Sequence, residues 1–287
     1  MKPGVNAFFD EKTNTVTYVV TDGSGSSCAI IDPVLDFDPA AGRTSTESAD
    51  RVMDYIQANG LEVAWILETH VHADHLSAAA YLKSKTGGRT GTGRLITRVQ
   101  ATFKDIFKLG DEFAPNGEQF DCLFDDGDLL ELGTTHIRVL HTPGHTPSCV
   151  SFVIGDAVFV GDTLFMPDYG TARADFPGGD AAMLYQSIQR FFELPAKTRI
   201  FLCHDYKAPG RDEYQWESTV EEQRASNIHI HDGISEQDFV AFRSQRDSEL
   251  GTPRLILPSI QVNIRAGEMP PPDEGGTVFL KIPVNVL

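Results

Sequence analysis

The stretch "LETHVHADHLSAA", residues 67–79, places three histidines and one aspartate within six consecutive positions: His70, His72, Asp74 and His75. Imidazole and carboxylate groups crowded in this way repel or desolvate one another unless a cation binds them. The stretch therefore predicts a metal site whose remaining ligands come from elsewhere in the chain.

The composition is that of an ordinary globular protein with an acidic surface. Of the 287 residues, 41% are hydrophobic and 23% are charged, and the formal net charge is −17. A field this negative opposes binding to phosphate backbones and disfavours nucleic acid as a partner. No apolar stretch reaches the roughly 20 residues that span a bilayer, and residues 1–14 lack the apolar core of a secretory signal. Four scattered cysteines are typical of reduced thiols, so we expect a cytoplasmic protein without a membrane partner.

Short apolar runs alternate with amphipathic segments, which predicts a mixed α/β fold. The predicted strands are 15–22, 27–34, 63–69, 136–142, 148–155, 157–163 and 199–205, with a glycine-rich turn at 23–26. The predicted helices are 48–60, 78–85, 180–194, 218–225 and 235–246. We expect flexible turns at 87–93 ("GGRTGTG") and 269–276, and a strand-like tail at 277–287. The chain is predicted to form a single domain over residues 1–287, with a core over 1–230 and a C-terminal extension over 231–287.

Four predicted strands lead into residues that can bind a metal: His70, His145, Asp162 and His204. Loops at the carboxyl ends of strands converge at one edge of an open sheet, so these residues can meet the histidine cluster there. Nitrogen and oxygen donors without a thiolate suit zinc, iron or manganese. Cys203 is expected to point away from the site, because neighbouring side chains alternate along a strand. His229 and His231 are predicted to lie in a loop.

The cluster and the later ligands resemble the metallo-β-lactamase superfamily. Its His-x-His-x-Asp-His signature stands at residues 70–75, followed in the family's order by His145, Asp162 and His204. The resemblance covers roughly residues 5 to 230 and implies an αβ/βα sandwich, in which two mixed sheets are flanked by helices. It also implies that Asp32 orients the histidine loop from outside the ligand set. The alternative for Asp32 is a turn residue before Pro33.

Shorter motifs resemble the persulfide dioxygenases (sulfur dioxygenases), above all bacterial members of the β-lactamase-like hydrolase type. These motifs are "THVHADH", "HTPGHTPSCVSF", "ARADF", "HDY", "STVEEQRASN" and "VNIRAG". The resemblance implies one Fe(II) per chain, held by the catalytic residues His70, His145 and Asp162. The remaining four, His72, Asp74, His75 and His204, would form a second site or surround the first. The implied reaction oxidises a thiol persulfide, typically glutathione persulfide, with O₂ to sulfite and thiol. A homodimer is left open.

The same residues could instead form a dinuclear zinc hydrolase of the hydroxyacylglutathione hydrolase type, with Zn(II) as the cofactor. One zinc would lie between His70, His72 and His145, the second between Asp74, His75 and His204, with Asp162 bridging. A non-catalytic metal or persulfide sensor would have lost ligands, and this chain retains all of them. RNA-processing members of the fold are disfavoured by the net charge.

Glutathione persulfide is a net anion, so an acidic protein must hold it with local cations and donors. The candidates are Arg173 in "ARADF", Arg265 in "VNIRAG" and the phenol of Tyr206. The planar fork of arginine binds a carboxylate through two hydrogen bonds. The alternative for Arg173 is an ion pair with Asp175 or another carboxylate of this chain.

Overall fold

The computed structural model describes residues 2–23 and 25–286, which form two facing β-sheets with helices outside them. The strands are β1 (Gly4–Asp10), β2 (Thr15–Thr21), β3 (Ser27–Ile31), β4 (Val34–Asp38), β5 (Arg43–Ser45), β6 (Glu62–Leu67), β7 (Leu76–Ser77), β8 (Arg89–Gly93), β9 (Cys122–Phe124), β10 (Leu129–Leu132), β11 (Thr135–His141), β12 (Val150–Ile154), β13 (Ala157–Phe159), β14 (Arg199–Phe201) and β15 (Glu217–Thr219). The helices are α1 (Glu47–Ala58), α2 (Ala79–Thr86), α3 (Ile96–Phe107), α4 (Ala181–Phe192), α5 (Val220–Ser226), α6 (Glu236–Ser248) and α7 (Ile256–Asn263).

Both large sheets are mixed. The first has the order β1-β2-β3-β6-β8-β9 and the second β10-β11-β12-β13-β14-β15, while β5-β4-β7 form a small third sheet. Strands β3, β6, β8 and β9 run parallel to one another, and so do β13 and β14. A parallel pair needs a crossover connection, and helices such as α1 and α4 provide it.

Alternation along the strands divides the apolar residues between the two faces of each sheet. In β2, Val16, Tyr18 and Val20 point into the core between the sheets, whereas Val19 points outward toward the cluster that contains α1 and α2. The second sheet packs its outer face against α4 and α6, with Leu184 of α4 among the buried contacts. The αβ/βα sandwich implied by the family resemblance is therefore confirmed.

The predicted elements that flank the site are present with shifted ends. Helices α1, α2, α4, α5 and α6 and strands β2, β3, β6 and β11 to β14 correspond to predicted segments. Helix α4 begins after Asp180, whose carboxylate accepts a hydrogen bond from Met183 N at 2.9 Å, a standard N-cap. Residues 23–26 connect the antiparallel strands β2 and β3, although Ser24 lies outside the described residues.

Two local predictions were wrong. Residues 89–93 of the expected flexible turn form β8 inside the first sheet. A Cβ atom at Gly91 would lie 2.3 Å from Phe124 Cζ, so glycine here permits close packing and does not signal flexibility. The tail forms no strand within residues 277–286, and Leu287 is outside the described part. Its apolar side chains, such as Ile282 and Val284, are exposed, and no neighbouring strand of the described sheets pairs with this segment.

Helices α3 and α7 were not predicted. Helix α7 carries Pro258 in its first turn, where a missing N–H costs no helical hydrogen bond. Within the described ranges, no helix combines the length and hydrophobicity that crossing a bilayer requires.

Candidate metal centre

Four strand ends bring the predicted ligands together. His70 follows β6, His204 follows β14, Asp162 lies in a 3₁₀ turn after β13, and His145 lies in the loop between β11 and β12. These four side chains are all buried. The predicted convergence of strand-end residues is confirmed.

The ligand atoms fall into two neighbouring groups. The first contains His70, His145 and Asp162, with Asp162 Oδ2 at 3.9 Å from His70 Nε2 and 3.8 Å from His145 Nε2. The second contains His72, Asp74, His75 and His204, whose ligand atoms lie within 4.8 Å of one another.

Asp162 connects the two groups through its two carboxylate oxygens. Its Oδ2 faces the first group, while its Oδ1 lies 3.2 Å from His204 Nε2 in the second. His204 Nε2 also lies 3.3 Å from Asp74 Oδ2. These contacts bring opposite charges close without the geometry of directed hydrogen bonds. The carboxylate is thus positioned either to bind one metal or to bridge two.

Orphaned polar atoms show that the site fits a cation. Among the described residues, buried nitrogens and oxygens without a hydrogen-bond partner include His70 Nε2, His72 Nδ1, His75 Nε2, His204 Nε2 and Asp162 Oδ1. Each unpaired buried polar atom costs about 1–3 kcal/mol, so several in one place need a common partner. Metal ions bound in the two groups would supply partners for these atoms.

Hydrogen bonds to the opposite ring nitrogens fix the histidines for metal binding. The Nδ1 atom of His145 lies 2.8 Å from the Arg173 carbonyl, and that of His204 lies 3.1 Å from the Asn14 carbonyl. A carbonyl only accepts, so each Nδ1 carries a proton, which leaves Nε2 as the ring nitrogen that can bind a metal. This geometry gives the "ARADF" segment a role through its main chain.

His70 is oriented through a relay that ends at Asp32. The Thr69 hydroxyl donates to Asp32 Oδ2 at 2.9 Å and lies 3.0 Å from His70 Nδ1, so it can accept the proton of that ring. Asp32 also accepts from Thr69 N at 2.7 Å and from His72 Nε2 at 3.0 Å. Its φ of 50° is a turn conformation that aspartate tolerates. Asp32 therefore combines the two roles that the sequence offered as alternatives.

Glu68 is a buried residue of the site that the sequence analysis missed. Its Oε2 lies 3.2 Å from His72 Nε2, on the ring nitrogen that also contacts Asp32, and its Oε1 accepts a hydrogen bond from the Ser77 hydroxyl. The carboxylates of Asp32 and Glu68 thus both contact Nε2 of His72. The Nδ1 atom of that ring remains available to a metal. An acidic residue at the end of an apolar strand, four positions before His72, was the available signal.

The electrostatics of the metal-free centre favour metal-binding protonation states at His70 and Asp162, but a protonated ring at His204, whose second proton a metal would have to displace. Burial and the neighbouring His72 lower the pKa of His70 well below its ordinary value, which keeps the ring neutral. Burial alone would raise the pKa of Asp162, but the His204, His70 and His145 rings hold it below the ordinary value. Burial alone would lower the pKa of His204, yet the Asp162 and Asp74 carboxylates raise it to about 9. The centre carries an excess of negative charge that attracts a cation.

The prediction that Cys203 points away from the site was wrong. Strand β14 ends at Phe201, so alternation along the strand no longer governs residue 203. The Cys203 sulfur lies within 4.8 Å of ligand atoms of Asp162 and His204. Burial raises the pKa of this thiol, and a protonated thiol is a poor metal ligand.

Gly161 allows the turn that carries Asp162 to approach Thr69. Its φ is 54°, and a Cβ atom there would lie 2.6 Å from Thr69 Oγ1. Any side chain at this position would therefore push against the relay that orients His70.

A cavity of about 1070 Å³ opens over Asp74, His145 and Asp162. One wall comes from β4, β5 and their connection, and another from residues 243–255 at the end of α6 and in the following loop. The predicted C-terminal extension thus forms part of the site.

The three candidates for substrate binding differ in position. Tyr206 lines the cavity, with its ring centroid 5.6 Å from that of His204. Arg173 also lines it, but its guanidinium donates to both Asp175 oxygens, at 2.5 and 2.7 Å, so the alternative ion pair is present. Arg265 does not line the cavity. Its guanidinium is buried 4.6 Å from the Phe113 ring centroid and donates to the Gln261 carbonyl at 2.9 Å.

Two further residues line the cavity but were not predicted from the sequence to do so. Arg254 lines the cavity, and its guanidinium makes no ion pair or hydrogen bond within the part of the chain that the structure describes. His229 lies in a loop as predicted, but it also lines the cavity, and its Nδ1 accepts from Thr171 N at 3.0 Å.

Comparison with known proteins places this centre in a family. Residues 11–204 match the description "Metallo-beta-lactamase superfamily". A probable metallo-hydrolase of Burkholderia pseudomallei is 52% identical over 99% of this chain and 99% of its own length. β-Lactamase hydrolase-like proteins of Xylella fastidiosa and Agrobacterium fabrum are 50–51% identical, and the chain spans 65% of their length.

Persulfide dioxygenases are more distant relatives. The mitochondrial persulfide dioxygenase ETHE1 of Bos taurus is 31% identical over 92% of this chain and 89% of its own length. The crystal structure of ETHE1 from Myxococcus xanthus superposes with a TM-score of 0.73 at 28% identity, covering 92% of this chain and all of that one.

Proposed function

The chain belongs to the metallo-β-lactamase superfamily, and from that premise we propose that it is an iron-dependent persulfide dioxygenase. Its substrate would be a small thiol persulfide such as glutathione persulfide. The observation that carries this proposal is the separate group of His70, His145 and Asp162, with Nε2 and Oδ2 atoms 3.8–3.9 Å apart. Two histidines and one carboxylate in this arrangement are typical of non-haem Fe(II) oxygenases.

The proposed reaction is R–S–SH + O₂ + H₂O → R–SH + H₂SO₃, in which the S–S bond breaks. The terminal sulfur is oxidised, O₂ is reduced, and the thiol leaves with a proton. Fe(II), when bound, would supply open coordination positions and redox chemistry for O₂. The protein would hold the His70 and His145 rings through the Thr69 hydroxyl and the Arg173 carbonyl, so that little reorganisation is needed.

The cavity wall would position the thiol part of the substrate. The cavity has a volume of about 1070 Å³, which is at the upper end of the range for small-molecule sites and is enough for a tripeptide-sized thiol. Arg254 offers an unpaired guanidinium to a substrate carboxylate, whereas Arg173 is already bound to Asp175. Tyr206 would offer its phenol on the His204 side. We therefore replace Arg265 by Arg254 as the proposed anion contact.

A dinuclear zinc hydrolase is the second candidate, and two observations favour it. His72, Asp74, His75 and His204 form a second group of potential ligands, and Asp162 faces both groups. The relatives at 50% identity or more carry hydrolase names. In that case the two groups would hold two zinc ions, which would supply an activated water for the hydrolysis of a thioester.

Metal analysis of anaerobically purified protein, followed by two activity assays, separates the candidates. We expect one iron per chain, O₂ consumption with sulfite release from glutathione persulfide, and no hydrolysis of a glutathione thioester. His70→Ala, His145→Ala and Asp162→Ala should each lose both iron and activity, because a three-ligand site has no spare ligand. Two zincs per chain with thioesterase activity would establish the hydrolase instead.

A further inference from the structure

Helix α7 reaches the histidine loop through a single buried amide. The Asn263 side chain donates from Nδ2 to the carbonyls of His72 and His75, both at 2.8 Å, and its Oδ1 accepts from Ser77 N at 2.8 Å. Asn263 is 4% exposed, and these contacts bridge 186 to 191 residues of sequence. The amide thus uses its donors and its acceptor on the segment that carries the metal ligands.

The loop needs such a partner because it has no regular structure of its own. Residues 70–75 lie between β6 and the two-residue strand β7, and His72 and His75 are fully buried. Carbonyl groups buried there must be paired, since an unpaired one costs about 1–3 kcal/mol. A side chain supplies what a neighbouring strand would otherwise provide.

The contacts extend to the Glu68 side of the site. Ser77, whose main chain binds Asn263, donates its hydroxyl to Glu68, and Glu68 in turn contacts His72 Nε2 at 3.2 Å. Beyond α7, Gly267 adopts a φ of 86°, and a Cβ atom there would lie 2.9 Å from the Ser77 carbonyl. The chain after the helix therefore packs closely on the same loop.

We propose that Asn263 is a positioning residue that holds the loop of residues 70–77 in its metal-binding conformation before the metal arrives. This inference is independent of the reaction, because it concerns the shape of the ligand set. Arg265, which donates to the Gln261 carbonyl and packs on Phe113, fixes the end of the same helix.

Gln261 provides a matched control in the same helix. It is 1% exposed, and its side chain also makes three hydrogen bonds, to the main chain of Leu257 and twice to that of Lys281. None of these partners lies in the histidine loop. Gln261→Ala and Asn263→Ala therefore remove equal numbers of side-chain hydrogen bonds from one helix, and only the second touches the metal loop.

The experiment is a Co²⁺ titration of metal-free protein, in competition with a chelator, together with thermal unfolding of the same metal-free samples. We expect Asn263→Ala to bind Co²⁺ about 10- to 100-fold more weakly than the wild type. The Co²⁺ affinity of Gln261→Ala should stay within about three-fold of that of the wild type, because Gln261 does not couple to the metal site. The two metal-free variants should unfold at similar temperatures. Unchanged Co²⁺ affinity in Asn263→Ala, or equal losses in both variants, would overturn the proposal.

Hydrogen exchange on the wild type gives a test that needs no variant to fold. If Asn263 holds the loop in advance, the Ser77 amide is protected in metal-free protein and gains little when Co²⁺ is added. An amide that exchanges freely until the metal binds would show that the metal, and not Asn263, orders the loop.

Discussion

Replacing Asp32 with asparagine tests the relay that prepares His70 for the metal. The Asp32 carboxylate accepts from the Thr69 hydroxyl at 2.9 Å, which leaves the hydroxyl oxygen free to accept the Nδ1 proton of His70 at 3.0 Å. Asparagine keeps the shape and tolerates the φ of 50°. Its amide nitrogen, placed where Oδ2 lies, would donate to the Thr69 hydroxyl, which then turns its proton toward His70. The favoured tautomer of His70 would carry its proton on Nε2, the atom that must bind the metal.

The expected loss follows from one hydrogen bond to a charged group. Such a bond contributes about 1.5–3 kcal/mol, so the Asp32→Asn variant should bind Co²⁺ or Fe²⁺ about 10- to 100-fold more weakly. Thr69→Val should cause a loss of similar size, and the double variant should lose little more than either single one, because both act through the same relay.

Asp121 supplies the control, since its Oδ2 accepts from the amide and the hydroxyl of Thr90 at 2.9 and 3.0 Å, the same two donor groups that Asp32 binds on Thr69. Metal affinity should be unchanged in Asp121→Asn. The relay is refuted if Asp32→Asn binds as tightly as the wild type, or if the losses in Asp32→Asn and Thr69→Val simply add.

Three further predictions address the second ligand group, the substrate and the pH dependence of stability. His75→Ala should retain nearly one iron per chain because His75 lies outside the first group; loss of one of two bound zincs would support the hydrolase. Arg254→Gln should raise KM for glutathione persulfide about 3- to 10-fold, as for an exposed charge contact, with iron content unchanged; Arg98→Gln on the exposed face of α3 serves as the control, and equal KM values would exclude Arg254 from binding. Burial, with Arg243 and Arg246 nearby, lowers the pKa of His229 from 6.5 to about 4, so its contribution to stability is complete above pH 6.5 and is lost as the pH falls toward 4. The free energy of unfolding, measured with urea between pH 7 and 4.5, should therefore fall less steeply in His229→Asn than in the wild type, and equal slopes would contradict this assignment.

The sequence by itself predicted the candidate metal ligands and, through the family resemblance that they carry, the fold that holds them. The spacing of His70, His72, Asp74 and His75 is local, and His145, Asp162 and His204 follow apolar strands whose carboxyl ends must meet. The pattern of apolar residues also located five helices, α1, α2, α4, α5 and α6, because burial of one face leaves a repeating pattern in a single segment. None of these inferences required knowledge of which distant residues touch.

Only the tertiary structure decided which side chains surround the ligands and which reach the cavity. Asn263 stands in the "VNIRAG" motif, but nothing local in that motif reveals that its side chain contacts the histidine loop across at least 186 residues. Arg265 was a candidate by its motif, yet its guanidinium packs on Phe113, while Arg254, outside any motif, lines the cavity. Cys203 lies near the ligands because β14 already ends at Phe201. The alternation of side chains in the sequence does not reveal where the strand ends. Ligand types and their spacing are recorded locally, whereas orientation and access depend on packing between segments that are far apart in the chain.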